Sequence, residues 1–120
     1  MSEPSTVVLL SSDLMMTSTV NGAAVQSGLE FRTATSPEQL QNSSDDDLII
    51  IDLATPGLNM AQASGALNDR QRKTSIVFGP HVHTDRFEQA RAAGFINLLA
   101  RGRFDTEVGE IIRRFANQLG

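Results

Sequence analysis

A chain of 120 residues is the size of one domain and is long enough to close a single core, so one domain over 1–120 is expected. Ten basic against fourteen acidic residues leave a net charge of −4, and there are six Phe but no Trp or Tyr. Nucleic acid needs clustered cations and stacking platforms, a disulfide or thiolate site needs cysteine, and a membrane span needs about 18 consecutive apolar residues; the chain offers none of these.

Met1 to Thr6 lacks the basic flank and apolar run of a signal peptide, so a cytoplasmic protein is expected. Val7-Val8-Leu9-Leu10 has the pattern of a strand buried on both faces. Asp13 follows as a natural N-cap, and Met16, Val20, Ala23 and Ala24 recur at helical spacing up to Gly28 at the C′ position. Leu29, Phe31 and Thr33 alternate as a half-exposed strand does. Ser36-Pro37-Glu38-Gln39 reads as a capping box opening a short helix, which ends before the polar Asn42 to Asp46. Asp45, Asp46 and Asp47 read as a solvated loop rather than a metal site.

Leu48-Ile49-Ile50-Ile51 is the most apolar stretch and the best candidate for a central strand. Thr55-Pro56-Gly57 is a turn, and Leu58 to Arg70 a weaker helix in which Gly65 costs about 1 kcal/mol against Ala. Arg70, Arg72 and Lys73 read as a solvated helix end. Ser75-Ile76-Val77-Phe78 is a further buried strand stopped by Gly79-Pro80. Asp85 to Glu88 suggests another capping box, with a helix running to Gly94, and Ile96 to Ala100 a fifth strand. Asp105 is placed to cap a last helix whose Val108, Ile111, Ile112, Phe115 and Leu119 fall on one face.

Five alternations of strand and helix predict a parallel sheet covered on both faces, a doubly wound α/β sandwich. Chemistry in such a fold collects at the carboxyl ends of the strands, beside the reversal of strand order. Asp52 ends the most apolar strand there, and a carboxylate in that place is expected to be solvated at a pocket mouth.

The segment Asp47-Leu48-Ile49-Ile50-Ile51-Asp52-Leu53-Ala54-Thr55-Pro56-Gly57-Leu58 resembles the phosphoacceptor segment of response-regulator receiver domains. The five strand–helix units match over essentially the whole chain, and Ala92-Ala93-Gly94 is similar to the Ala-Gly-Ala that commonly precedes the family's last strand. The resemblance implies a flavodoxin-like (CheY-like) doubly wound five-stranded parallel sheet with helices on both faces, with Asp52 at the phosphoacceptor position.

The chain departs from the family at the other pocket positions. The acidic pair that holds Mg²⁺ is replaced by Ser11-Ser12, and two hydroxyls supply oxygen without charge. The hydroxyl residue after the fourth strand is Gly79, and the lysine after the fifth is Arg101, larger than an ammonium and not interchangeable with it. Asp13 stands one residue late for the acidic pair. Phosphoryl transfer depends on positioning and charge neutralisation, so these replacements predict an atypical receiver, a pseudo-receiver. On that reading the chain is not an enzyme, takes no cofactor or metal, and signals through a protein partner.

A contact between Asp52 and Arg101, or simple inheritance, would explain the retained carboxylate. By analogy with the family, the interaction face would present Arg86, Gln89, Asn97, Arg101, Arg103 and Glu110 around Phe87, Leu98 and Phe104, a surface through which a homodimer is plausible. Two alternatives remain: a weakly phosphorylatable receiver using Asp52, Arg101 and a recruited Asp13, and a small-anion module using Ser11, Ser12, Gly79 and Arg101. His81 and His83 form a possible metal pair without a third ligand.

Overall fold

The computed structural model describes residues 5–118. Its strands are β1 (Thr6–Leu10), β2 (Glu30–Ala34), β3 (Leu48–Asp52), β4 (Ile76–Gly79) and β5 (Asn97–Ala100). They form one sheet in the order β2-β1-β3-β4-β5, and every neighbouring pair is parallel. The helices are α1 (Leu14–Gln26), α2 (Met60–Gly65), α3 (Asp69–Thr74), α4 (Thr84–Ala92) and α5 (Arg101–Gln118), and a 3-10 helix, Pro37–Asn42, joins β2 to β3. This is the doubly wound sandwich that the alternation predicts.

The period of two along each strand divides the core. Val7 and Leu9 of β1, with Leu48 and Ile50 of β3 and Phe78 of β4, face Met16, Val20 and Ala24 of α1 and Phe104, Val108 and Ile112 of α5. Val8, Leu10, Ile49, Ile51 and Val77 face the other way, onto Leu40, Met60, Ala63 and Ala90. Burial on both faces is why β1 and β3 read as unbroken apolar runs. Phe78 and Phe104 stack with ring centroids 4.2 Å apart and an interplanar angle of 2°, fixing α5 against the sheet.

Asp13 caps α1 as expected, accepting from the Met16 amide at 3.0 Å, and Gly28 sits just beyond its end with φ 75°. Other helix starts differ from expectation. The Leu58–Arg70 stretch is two short helices, because Asn68 opens α3 with a capping box: its side chain accepts from Gln71 N at 2.8 Å, and Gln71 Oε1 accepts from Asn68 N at 2.9 Å. Ser36 makes no side-chain cap; Gln39 Oε1 accepts from the Thr35 amide instead, at 2.7 Å, and the turn winds as a 3-10 helix. A turn from Pro80 to His83 (3.0 Å) starts α4 one residue ahead of Asp85, which therefore does not cap it. The last helix leaves β5 directly at Arg101, so Asp105 lies inside it rather than at its cap. Ile96 precedes β5 and is exposed, whereas Phe95 is buried. Leu119 and Met1–Pro4 lie outside the described residues.

Candidate functional site

The strand order reverses between β1 and β3, and the crevice there is built from Ser11, just after β1, and Asp52, the last residue of β3. Asp52 is 2% exposed, so the expected place at a solvated pocket mouth is corrected. A buried carboxylate needs donors, and it has them. Ser11 Oγ donates to Asp52 Oδ2 at 2.7 Å, and the Ala54 amide donates to Oδ1 at 2.9 Å. The Asp52 carbonyl accepts from Thr55 twice, from its amide at 3.1 Å and its hydroxyl at 2.7 Å, which folds the following loop over the carboxylate. Ser11 Oγ also accepts from the Asp13 amide at 3.1 Å, so one hydroxyl joins Asp52 to the start of α1. Ser12 points to solvent.

The expected Asp52–Arg101 contact is replaced by another. Arg101, at the start of α5, donates from a guanidinium nitrogen to Asp13 Oδ2. That bond, helped by the Met16 amide, holds the Asp13 carboxyl below the usual carboxylate range. It likewise raises Arg101, to which the nearby charges of Asp52 and Asp105 add smaller pulls. The cation therefore stands close enough to Asp52 to feel it while bonding its neighbour. Geometry explains the choice: Asp13 caps α1 with one oxygen and leaves the other facing α5.

Gly79 closes the crevice from β4. A Cβ added there would stand 2.9 Å from Leu53 Cβ and 3.3 Å from Leu53 Cδ1. Leu53 is wholly buried, and its amide donates to the Phe78 carbonyl at 2.8 Å, so the clash falls on a fixed part of the chain. The volume a hydroxyl-bearing side chain needs at 79 is occupied by Leu53. Arg86 of α4 donates to the Leu53 carbonyl, tying α4 to the same loop. Neither the Leu53 plug nor the Arg86 tie is legible in sequence, because both depend on which loop atoms face across from β3 to β4.

A hard divalent ion fits this donor set poorly. The crevice has two carboxylates, of which Asp13 is paired with Arg101 and Asp52 is hydrogen-bonded to Ser11 and Ala54. His81 is exposed, while His83 is half-buried with its Nδ1 unpartnered; no cluster of three or more His, Cys, Asp or Glu exists among the described residues. Of the expected interaction face, Phe104 is fully buried in the core and Arg101 is held at the crevice. Phe87 and Leu98 are half-buried against the core, which leaves Arg86, Gln89 and Arg103 as the exposed part. The half-buried Asn97 donates to the Lys73 and Ser75 carbonyls, at 2.8 and 3.2 Å.

No family model and no curated protein matches the chain. Solved structures do. A response regulator receiver domain protein (CheY-like) from Methanospirillum hungatei aligns with a TM-score of 0.75 at 12% identity, covering 97% of this chain and 96% of that one. The receiver domain of a sensor histidine kinase from Pseudomonas aeruginosa, with a magnesium ion coordinated in its active site cleft, aligns with a TM-score of 0.71 at 16% identity, covering 96% and 99%. The beryllofluoride-activated NtrC4 receiver domain dimer aligns with a TM-score of 0.63 at 15% identity, covering 92% and 98%. The chain thus has the flavodoxin-like fold of response-regulator receiver domains. Among the described residues, no helix is long and apolar enough to cross a membrane.

Proposed function

We propose that this chain is a pseudo-receiver, a signalling module of receiver fold that works by contact with a protein partner in the cytoplasm and not by phosphorylation of Asp52. The observation that carries the reading is the Ser11–Asp52 hydrogen bond. A nucleophilic carboxylate needs a metal and a free cation to bring in and neutralise the phosphoryl group. Here a neutral hydroxyl occupies one oxygen of Asp52 and a backbone amide the other, while Arg101 is engaged with Asp13. The Leu53 side chain, set where a hydroxyl residue at 79 would stand, supports the same conclusion.

Amide spectra of the ¹⁵N-labelled protein test it, recorded before and after millimolar Mg²⁺ and then a beryllofluoride phosphoryl mimic. The expected result is no localised change. Shifts at Ser11 to Asp13, Asp52 and Arg101 that spread into α5 would overturn it. They would favour the second reading, a weakly phosphorylatable receiver using Asp52, Arg101 and a recruited Asp13. A small-anion site is less favoured, since two carboxylates face the crevice and Arg101 is already paired.

A further inference from the structure

Two charged runs that read in sequence as solvated, Asp45 to Asp47 and Arg70 to Lys73, come together at the end of the sheet opposite Asp52. Leu48, Ile76 and Asn97 open the parallel strands β3, β4 and β5, and with the second half of α5 they line a cavity of about 570 Å³. Its floor is apolar: Leu48 with Ile76, Ile111 and Phe115, the last three only half-buried. An apolar floor edged by a few polar groups is the make-up of a small-molecule site.

The charges at the rim select the ligand. Of the ten basic side chains, eight donate a hydrogen bond within the molecule. Among the described residues, the two without such a bond are Arg70 and Lys73. They stand three residues apart on one face of α3, and both line this cavity. Arg72 between them turns instead to the Ser64 and Leu67 carbonyls. Arg114 of α5 adds a third cation at the rim, sharing Glu110 with Arg113. The acids are largely committed. Asp47 accepts from the Thr6 and Ser44 amides, at 3.1 and 2.9 Å, and Asp45 accepts from Asn68 Nδ2 at 2.7 Å. Only Asp46 stands uncommitted against the two cations.

We infer that this cavity binds a small carboxylate with an apolar body, of the chemical class of a medium-chain fatty acid anion. Its carboxylate takes the donors of Arg70 and Lys73, and its hydrocarbon lies on Ile76, Ile111 and Phe115. The two halves depend on each other. An exposed cation gains little from an anion that water screens, and hydrocarbon laid over the floor removes that water. An amphiphile of positive charge would find the same floor but two cations opposing its head. The site stands at the far end of β3 from Asp52, so the inference holds whether or not Asp52 accepts phosphate.

Octanoate, octylamine and acetate, each titrated into the ¹⁵N-labelled chain to about 10 mM, test it. Octanoate should shift the amides of Leu48, Ile76, Ile111 and Phe115 and saturate with a dissociation constant of about 1 mM or tighter, while Ser11 and Asp52 stay still. Octylamine has the chain with the opposite charge, and acetate the charge without the chain; each should bind at least about tenfold more weakly. The double variant Arg70→Gln with Lys73→Gln, its fold confirmed by circular dichroism, should weaken octanoate about fivefold or more, and Asp46→Asn should tighten it. Octanoate shifts that are absent, that fall outside this cavity, or that octylamine reproduces at equal affinity overturn the proposal.

Discussion

At the scale of single residues, the crevice is a set of neutral or paired contacts. Asp52 was identifiable from its place at the end of an apolar run, but its burial was not, because Ser11 lies 41 residues away in sequence. The same limit hid the partner of Arg101: Asp13 was legible as a helix cap, whereas its second oxygen becomes a ligand only once α5 is docked. The Asp13–Arg101 pair has a pH signature. A carboxyl whose folded pKa is depressed stabilises the fold above its unfolded value, near 3.9, and loses that contribution as pH falls through the folded value. The stability difference between wild type and Arg101→Gln should therefore be present at pH 6 and shrink below about pH 4; with Arg101 39% exposed, it stays below about 1 kcal/mol. Urea unfolding at several pH values measures it, and a difference that grows on acidification contradicts the assignment.

Gly79 and Leu53 give a second residue-scale expectation. Gly79→Ala should destabilise by about 1–3 kcal/mol through overpacking against Leu53. In a double-mutant cycle with Leu53→Gly, which removes the Cβ nearest to position 79 as well as Cγ and Cδ1, the two losses should couple by more than about 0.5 kcal/mol. Additive losses would mean that Leu53 is not the obstacle.

At the scale of elements, β1, β3 and β4 stand where their apolar runs placed them, and α1 begins and ends at its local signals, Asp13 and Gly28. The misplaced starts have two causes, a competing local turn at α4 and tertiary contacts at α5. Asp85 and Asp105 are sound local caps, but α4 is begun by the Pro80–His83 turn and α5 by its direct exit from β5, anchored by Arg101 and the Phe78–Phe104 stack. Either outweighs a cap of about 1 kcal/mol. Where no such contact competes, the cap decides: Asn68 separates α2 from α3, and Asn68→Ala should cost about 1 kcal/mol, read as a lower urea midpoint at unchanged slope. An unchanged midpoint would assign the break to the packing of Leu67 instead.

At the scale of the whole molecule, the parallel sheet and its two-faced core followed from alternation, since short parallel strands joined by helices admit few arrangements. What alternation does not carry is whether the crevice is responsive. A ligand that binds only the folded state raises its midpoint by mass action. With Asp13 paired and Asp52 already satisfied, about 10 mM Mg²⁺ should move the thermal midpoint no more than an equal ionic strength of a monovalent salt. A clear rise specific to Mg²⁺ would show that the pairings yield to a metal.

The packing of Leu53 over Gly79 also has a meaning in evolutionary time. To gain a hydroxyl side chain at 79, a lineage must either force a Cβ into contact with Leu53 or empty the core of a buried leucine. Each step costs stability, and the two together still leave a β-carbon at 53 against the one at 79. Placing acids at 11 and 12 does nothing to ease that passage. The contact therefore acts as a one-way door: descent through this sequence retains the closed crevice even under selection that would favour reopening it.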